Sequence, residues 1–97
     1  MLPTLYLSKT CPTCDELCAQ LGLPKMTGET VWEGNQKIHM IVVPDTEPYT
    51  KDDISILGDL DFWDVFDFPT LVFPESNETF VGVGAIVREL GRREYIS

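Results

Sequence analysis

The run Leu5-Tyr6-Leu7-Ser8-Lys9-Thr10-Cys11-Pro12-Thr13-Cys14-Asp15-Glu16-Leu17-Cys18-Ala19-Gln20-Leu21-Gly22 passes from a short apolar segment, through a pair of cysteines, into a helical pattern. Leu5 to Ser8 reads as a first strand. Thr10 is placed to cap the helix that follows, and Pro12 falls in its first turn, where a missing N–H costs little. Cys14, Leu17, Cys18 and Leu21 recur at helical spacing and form one apolar face, with Asp15, Glu16 and Gln20 on the other side. Gly22-Leu23-Pro24 is a stop signal. The run is therefore strand, loop, helix, with Cys11 and Cys14 at the helix start. A thiol there faces unpaired backbone N–H groups and the positive end of the helix dipole. Thiolate is favoured, and thiolate is the nucleophile of disulfide exchange. A CxxC beside a β-α pattern reads as a redox motif.

The rest of the chain supplies a sheet around that unit. Thr30 to Glu33 with the Gly34-Asn35 turn allows a small hairpin, and Lys37 to Val43 is a second main strand whose apolar Ile41-Val42-Val43 suits a buried position. Thr50 to Asp53 resembles a capping box, followed by Ile54, Leu57 and Leu60, which predicts a helix over about 51–60. Val65 to Phe68 leads to Pro69. Thr70 to Phe73 is a third strand, Pro74 to Glu78 turn chemistry, and Thr79 to Val81 a fourth strand. Gly82-Val83-Gly84 opens a last helix from Ala85 to about Leu90, with Arg88, Arg92 and Arg93 suited to its negative end. The order β-α-β-α-β-β-α predicts one α/β domain over residues 1–97: a four-stranded mixed sheet flanked by helices.

Composition narrows the function. Hydrophobic content of 43% and charged content of 24% belong to an ordinary globular chain. Sixteen acids against seven bases give a net charge of −9. Nucleic-acid and anionic-membrane partners are excluded by that balance, because phosphate contacts need clustered Lys and Arg. All three cysteines lie between Cys11 and Cys18, so none staples distant parts of the fold. No leader is read at Met1-Leu2-Pro3-Thr4 and no apolar stretch is long enough to span a membrane, so the expectation is a cytoplasmic protein.

Lys9, Cys11-Pro12-Thr13-Cys14, Phe68-Pro69-Thr70 and Gly82-Val83-Gly84 follow one another at the separations seen in glutaredoxins, within the thioredoxin superfamily, and nearly the whole chain resembles that family. The CPxC form resembles glutaredoxins, including the compact ones some phages encode, whereas Pro69-Thr70 is closer to thioredoxins. The resemblance implies the thioredoxin-like fold and a dithiol oxidoreductase. Cys11 is then the exposed nucleophile and Cys14 the partly buried resolving thiol; Pro69 is cis and faces them. Lys9, Thr13, Phe68 and Pro69 form the substrate side, with the Phe68 backbone pairing with bound substrate like an added strand. Lys9 assists by charge, and Thr13 tunes the disulfide. The implied partners are disulfide-bearing proteins, ribonucleotide reductase among the candidates, and a monomer is the expected state. Glutathione or a thioredoxin reductase is the implied electron source, with no tightly bound cofactor. Glutathione-using members carry a polar or acidic pair where this chain has Ala85-Ile86.

Two other function classes are open at this level. Cys11 with Cys14 or Cys18 could serve a metal or iron–sulfur carrier, since thiolates are soft ligands. A closed zinc site wants four ligands, however, and there is no second CxxC. A binding module with incidental thiols is the third class. Cys18 reads as a small core residue, His39 as a structural histidine, Trp32 and Trp63 as packing, and the acids between Asp52 and Asp67 as a solvated face.

Overall fold

A computed structural model describes residues 2–9, 11–23, 28–33, 35–43, 57, 58, 60, 62 and 67–96. Among them are five strands, β1 (Thr4–Ser8), β2 (Gly28–Glu33), β3 (Lys37–Val43), β4 (Thr70–Phe73) and β5 (Glu78–Val81), and two helices, α1 (Pro12–Leu21) and α2 (Val83–Arg92). Leu57, Gly58, Leu60 and Phe62 also have helical backbone. The rest of the helix expected over 51–60, with its capping box, lies outside the described residues, as do Thr10, Trp63 and most of the acids between Asp52 and Asp67.

The strands form one mixed sheet in the order β2-β3-β1-β4-β5. Central β1 runs parallel to β3, from Thr4 opposite His39 to Ser8 opposite Val43, and antiparallel to β4, with Tyr6 opposite Thr70. The sheet has five strands where the sequence predicts four. The difference is β2: the residues read as a small hairpin arm pair with β3 along its whole length, from Gly28–Val42 to Glu33–Lys37. The Glu29 carboxylate lies 3.6 Å from His39 Nε2 across this pair, a structural setting for that histidine.

Leu5 and Leu7 point to one face of β1 and Tyr6 to the other, as strand alternation demands. The larger core gathers Leu5, Leu7, Cys14, Leu17, Cys18, Ile38, Met40, Leu71, Ile86 and Leu90, so both helices cover the same face. Tyr6, Ile41, Val43, Val72 and Leu60 pack on the opposite face. No helix among the described residues is long and apolar enough to cross a membrane.

Helix α1 ends at Gly22, whose φ of 68° is a left-handed conformation that glycine adopts without steric cost. The Leu23 N–H reaches back to the Cys18 carbonyl at 2.8 Å, closing the last turn. Helix α2 is longer than expected at both ends. Gly82, at φ 94°, is its N-cap, so Val83 and Gly84 are already helical.

At the other end of α2, the arginines do more than face the helix dipole. Arg92 and Arg93 both donate to the Glu89 carboxylate, Arg93 at 2.8 Å. Arg93 also donates to Glu78 of β5 at 2.9 Å and stacks 3.8 Å from the Phe73 ring centroid. Hydrogen bonds from Arg92 and then Arg93 hold the Glu89 carboxyl at about 2, against an ordinary value of 4.5. A carboxyl depressed in the folded state stabilises fully above its unfolded pKa, and that contribution is lost as pH falls toward the folded value. The stability difference between wild type and Glu89→Gln should therefore be constant above about pH 5 and shrink between pH 4.5 and 2. Urea melts of both proteins across that range check this; a difference that holds unchanged down to pH 2 would contradict it.

Candidate active site

The sheet register assembles the site. Antiparallel pairing sets Thr70, the first residue of β4, beside Tyr6 near the C-terminal end of β1. The chain leaving β1 enters α1 at Cys11, and the chain entering β4 arrives through Phe68-Pro69, so the two meet at one edge of the molecule. The last residue of β5, Val81, is also opposite Thr70, which delivers Gly82 to the same place. The Phe68–Pro69 bond is cis.

Three successive carbonyls of this approach segment are engaged. Thr70 Oγ1 donates to the Asp67 carbonyl at 2.6 Å, and the Gly82 N–H donates to the Pro69 carbonyl at 3.0 Å. Between them, the Phe68 carbonyl faces Thr13 Oγ1 at 3.3 Å and Cys11 Sγ at 3.6 Å. The pinning roles of Thr70 and Gly82 are missed by sequence reasoning. A Thr directly after a strand-entering Pro is the one signal for the first of them.

Cys11 itself is the N-cap of α1, in extended conformation at φ −115° and ψ 109°. Its sulfur accepts the Cys14 N–H at 3.1 Å, so a cysteine takes the position where a Ser or Asp oxygen usually sits. This corrects the expectation of a Thr10 cap. A cap atom that is sulfur gains by becoming anionic, since both the N–H bond and the dipole then act on a full charge. Asp15, in the first turn, opposes this as a nearby negative charge. Thr13 Oγ1 lies 3.1 Å from the same sulfur.

The three cysteines differ in access. Cys11 is half-buried, Cys14 is 0% exposed and Cys18 is 5% exposed. Cys14 and Cys18 both belong to the main core, so Cys18 is placed as the small core residue its spacing predicts. Lys9 sits exposed in the turn after β1. Of the expected site residues, Cys11, Thr13 and the Phe68 carbonyl are brought together, with Pro69 next in the chain and Cys14 joined to the Cys11 sulfur through its N–H.

No protein-family model, curated protein or solved structure matches this chain. A functional reading therefore rests on the residues and their geometry. The arrangement has a half-buried cysteine as helix N-cap and a fully buried cysteine three residues on, whose N–H the first sulfur accepts. Beside the first sulfur runs a segment whose central carbonyl is met by the Thr13 hydroxyl and the Cys11 thiol. Chemically, it can generate a thiolate and hold a chain next to it. Among the described residues, no group of three or more His, Cys, Asp and Glu side chains is placed to hold a metal ion.

Proposed function

We propose that this chain is a cytoplasmic dithiol–disulfide oxidoreductase of thioredoxin-like fold and glutaredoxin type. The observation that carries the reading is Cys11 as helix N-cap, its sulfur accepting the Cys14 N–H at 3.1 Å. The Cys11 thiolate attacks one sulfur of a partner disulfide. A Cys11–partner S–S bond forms, the partner's own S–S bond breaks, and its second sulfur leaves as a thiolate that takes a proton. Cys14 then gives up its proton and attacks the Cys11 sulfur, which releases the partner's first sulfur. The partner gains two electrons and two protons, and the chain is left with a Cys11–Cys14 disulfide.

A reductant must return that disulfide to dithiol. Glutathione-using relatives in the resembling family place a polar or acidic pair after the double glycine. Here Ile86 is fully buried in the main core, so its side chain serves packing. This supports a protein reductase of the thioredoxin-reductase class over glutathione as electron source.

The reading is tested by interrupting it. In Cys14→Ser, the second step has no nucleophile, and the mixed disulfide on Cys11 should persist. Incubating the reduced variant with insulin and mapping adducts by mass spectrometry should give one adduct, on Cys11. Adducts confined to Cys18, or none, would falsify the assignment.

A further inference from the structure

The Phe68 carbonyl, Thr13 hydroxyl and Cys11 thiol form a closed triangle. Thr13 Oγ1 is 3.3 Å from the Phe68 oxygen, Cys11 Sγ is 3.6 Å from it, and the two donors are 3.1 Å apart. These three contacts share two protons, one on the thiol and one on the hydroxyl. With Cys11 protonated, both protons can serve the Phe68 oxygen, which has two lone pairs to receive them.

Loss of the thiol proton to solvent changes the balance. One proton remains, on Thr13, with two acceptors in reach. A hydrogen bond to an ionised acceptor is roughly twice as strong as one to a neutral acceptor. The hydroxyl therefore turns to the sulfur, and a rotation about its C–O bond suffices because the oxygen is already 3.1 Å away. The Phe68 carbonyl then loses both donors in one event, on a residue that is only half-buried.

We propose that Thr13 is a positioning residue that couples thiolate formation at Cys11 to the opening of the Phe68 carbonyl for a backbone N–H of the partner. The coupling runs both ways, as linkage requires. A polypeptide N–H that docks on Phe68 displaces the hydroxyl onto the sulfur and stabilises the thiolate. A disulfide with no neighbouring amide cannot do so. The site thus favours disulfides held within polypeptide chains, an inference that rests on the oxidoreductase reading. Charged side chains on the surrounding segments are Lys9 after β1, Asp15 and Glu16 on α1, and Asp67 ahead of Phe68, all exposed. The Gly82-Val83-Gly84 segment adds none. All of them are the same in any Thr13 variant, so they cancel in the comparison.

Thr13→Val removes the hydroxyl at nearly constant shape, and Thr13→Ser keeps it; the position is exposed, so both variants should fold. Two readouts separate the parts. The first is the pH dependence of iodoacetamide alkylation at Cys11, located by peptide mapping. Its midpoint should rise by about one pH unit in Thr13→Val and return in Thr13→Ser, the scale of one hydrogen bond to a charged group. The second is kcat/KM for a peptide disulfide relative to a bis-aryl disulfide without amides, at a pH one unit below each variant's alkylation midpoint, where Cys11 is still mostly protonated. The preference for the peptide should fall about tenfold in Thr13→Val, mainly through KM. An unchanged midpoint overturns the coupling. Equal losses on both substrates overturn the carbonyl's part in it. If wild type exchanges with neither disulfide, the oxidoreductase reading and the peptide selection fall together. A raised midpoint in Thr13→Val would then still mark the hydroxyl–sulfur bond.

Discussion

Cys11→Ser should abolish disulfide exchange, while Cys18→Ala should leave it close to wild type. Removing the nucleophile of a covalent mechanism costs on the order of 10⁶ in enzymes where it has been measured. The loss here should approach the detection limit, because neither remaining thiol can stand in. Cys14 is 0% exposed and Cys18 5% exposed, both within the main core, so a partner disulfide cannot reach either sulfur without opening the fold. Serine at position 11 would still cap α1 through its oxygen, so the variant should fold and the lost activity report chemistry rather than structure. Insulin reduction assayed with excess reductant checks all three proteins in one experiment. Substantial turnover by Cys11→Ser would move the nucleophile elsewhere, and a comparable loss in Cys18→Ala would give the third thiol a part it is not assigned.

The parts of this site that sequence makes legible are local ones. Cys11 to Leu21 announces its helix through the spacing of Cys14, Leu17 and Cys18, and all three are buried. The strand at Thr70 to Phe73 is found where its apolar run lies. Capping rules misplace the N-cap because they rank hydroxyl, carboxylate and amide side chains and leave out sulfur, although sulfur accepts an N–H as well. Helix α2 is cut short for a related reason. Gly82 and Gly84 both read as loop punctuation, yet one is the cap and the other already lies in the first turn. Strand β2 is ambiguous because Thr30 to Glu33 alternates too briefly to separate a hairpin arm from a full edge strand.

The convergence of distant residues is not a local property. Thr13 meets the Phe68 carbonyl, 55 positions away, only because β1 and β4 pair with Tyr6 opposite Thr70. A slip of one residue in that register would turn every side chain of β4 to the opposite face and carry Phe68 away from Cys11. Arg92 and Arg93 illustrate the same limit. Sequence assigns them to the helix dipole, whereas Glu89 lies within a turn of both and Arg93 also reaches Glu78 across the α2–β5 boundary.

The chemistry of Cys11 thus depends on how firmly α1 is seated, and Leu17→Ala is the substitution expected to test this hardest. Leu17 is 0% exposed and lies in the core with Leu5, Leu7, Ile86 and Leu90, joining α1 to the central strand and to α2. Truncating such a leucine costs about 2–5 kcal/mol, from lost transfer energy and from the cavity left behind. A domain of this size has on the order of 5–15 kcal/mol in total, so the loss is a large share of it. With a urea slope of about 1–3 kcal/mol/M, the midpoint should fall by ~2 M. Leu21→Ala, at a half-buried position on the same helix face, should cost distinctly less. The consequence for function is specific. Cys14 and Cys18 flank Leu17 on the buried face, so a loosened α1 should expose them to alkylation, and the selectivity for Cys11 should erode well before the sheet unfolds. Urea melts paired with alkylation mapping at each concentration separate the two events. A midpoint shift under ~0.5 M would mean that the α1 face is not the packing element described here. Loss of Cys11 selectivity only at the global transition would mean that α1 and the sheet unfold as one unit.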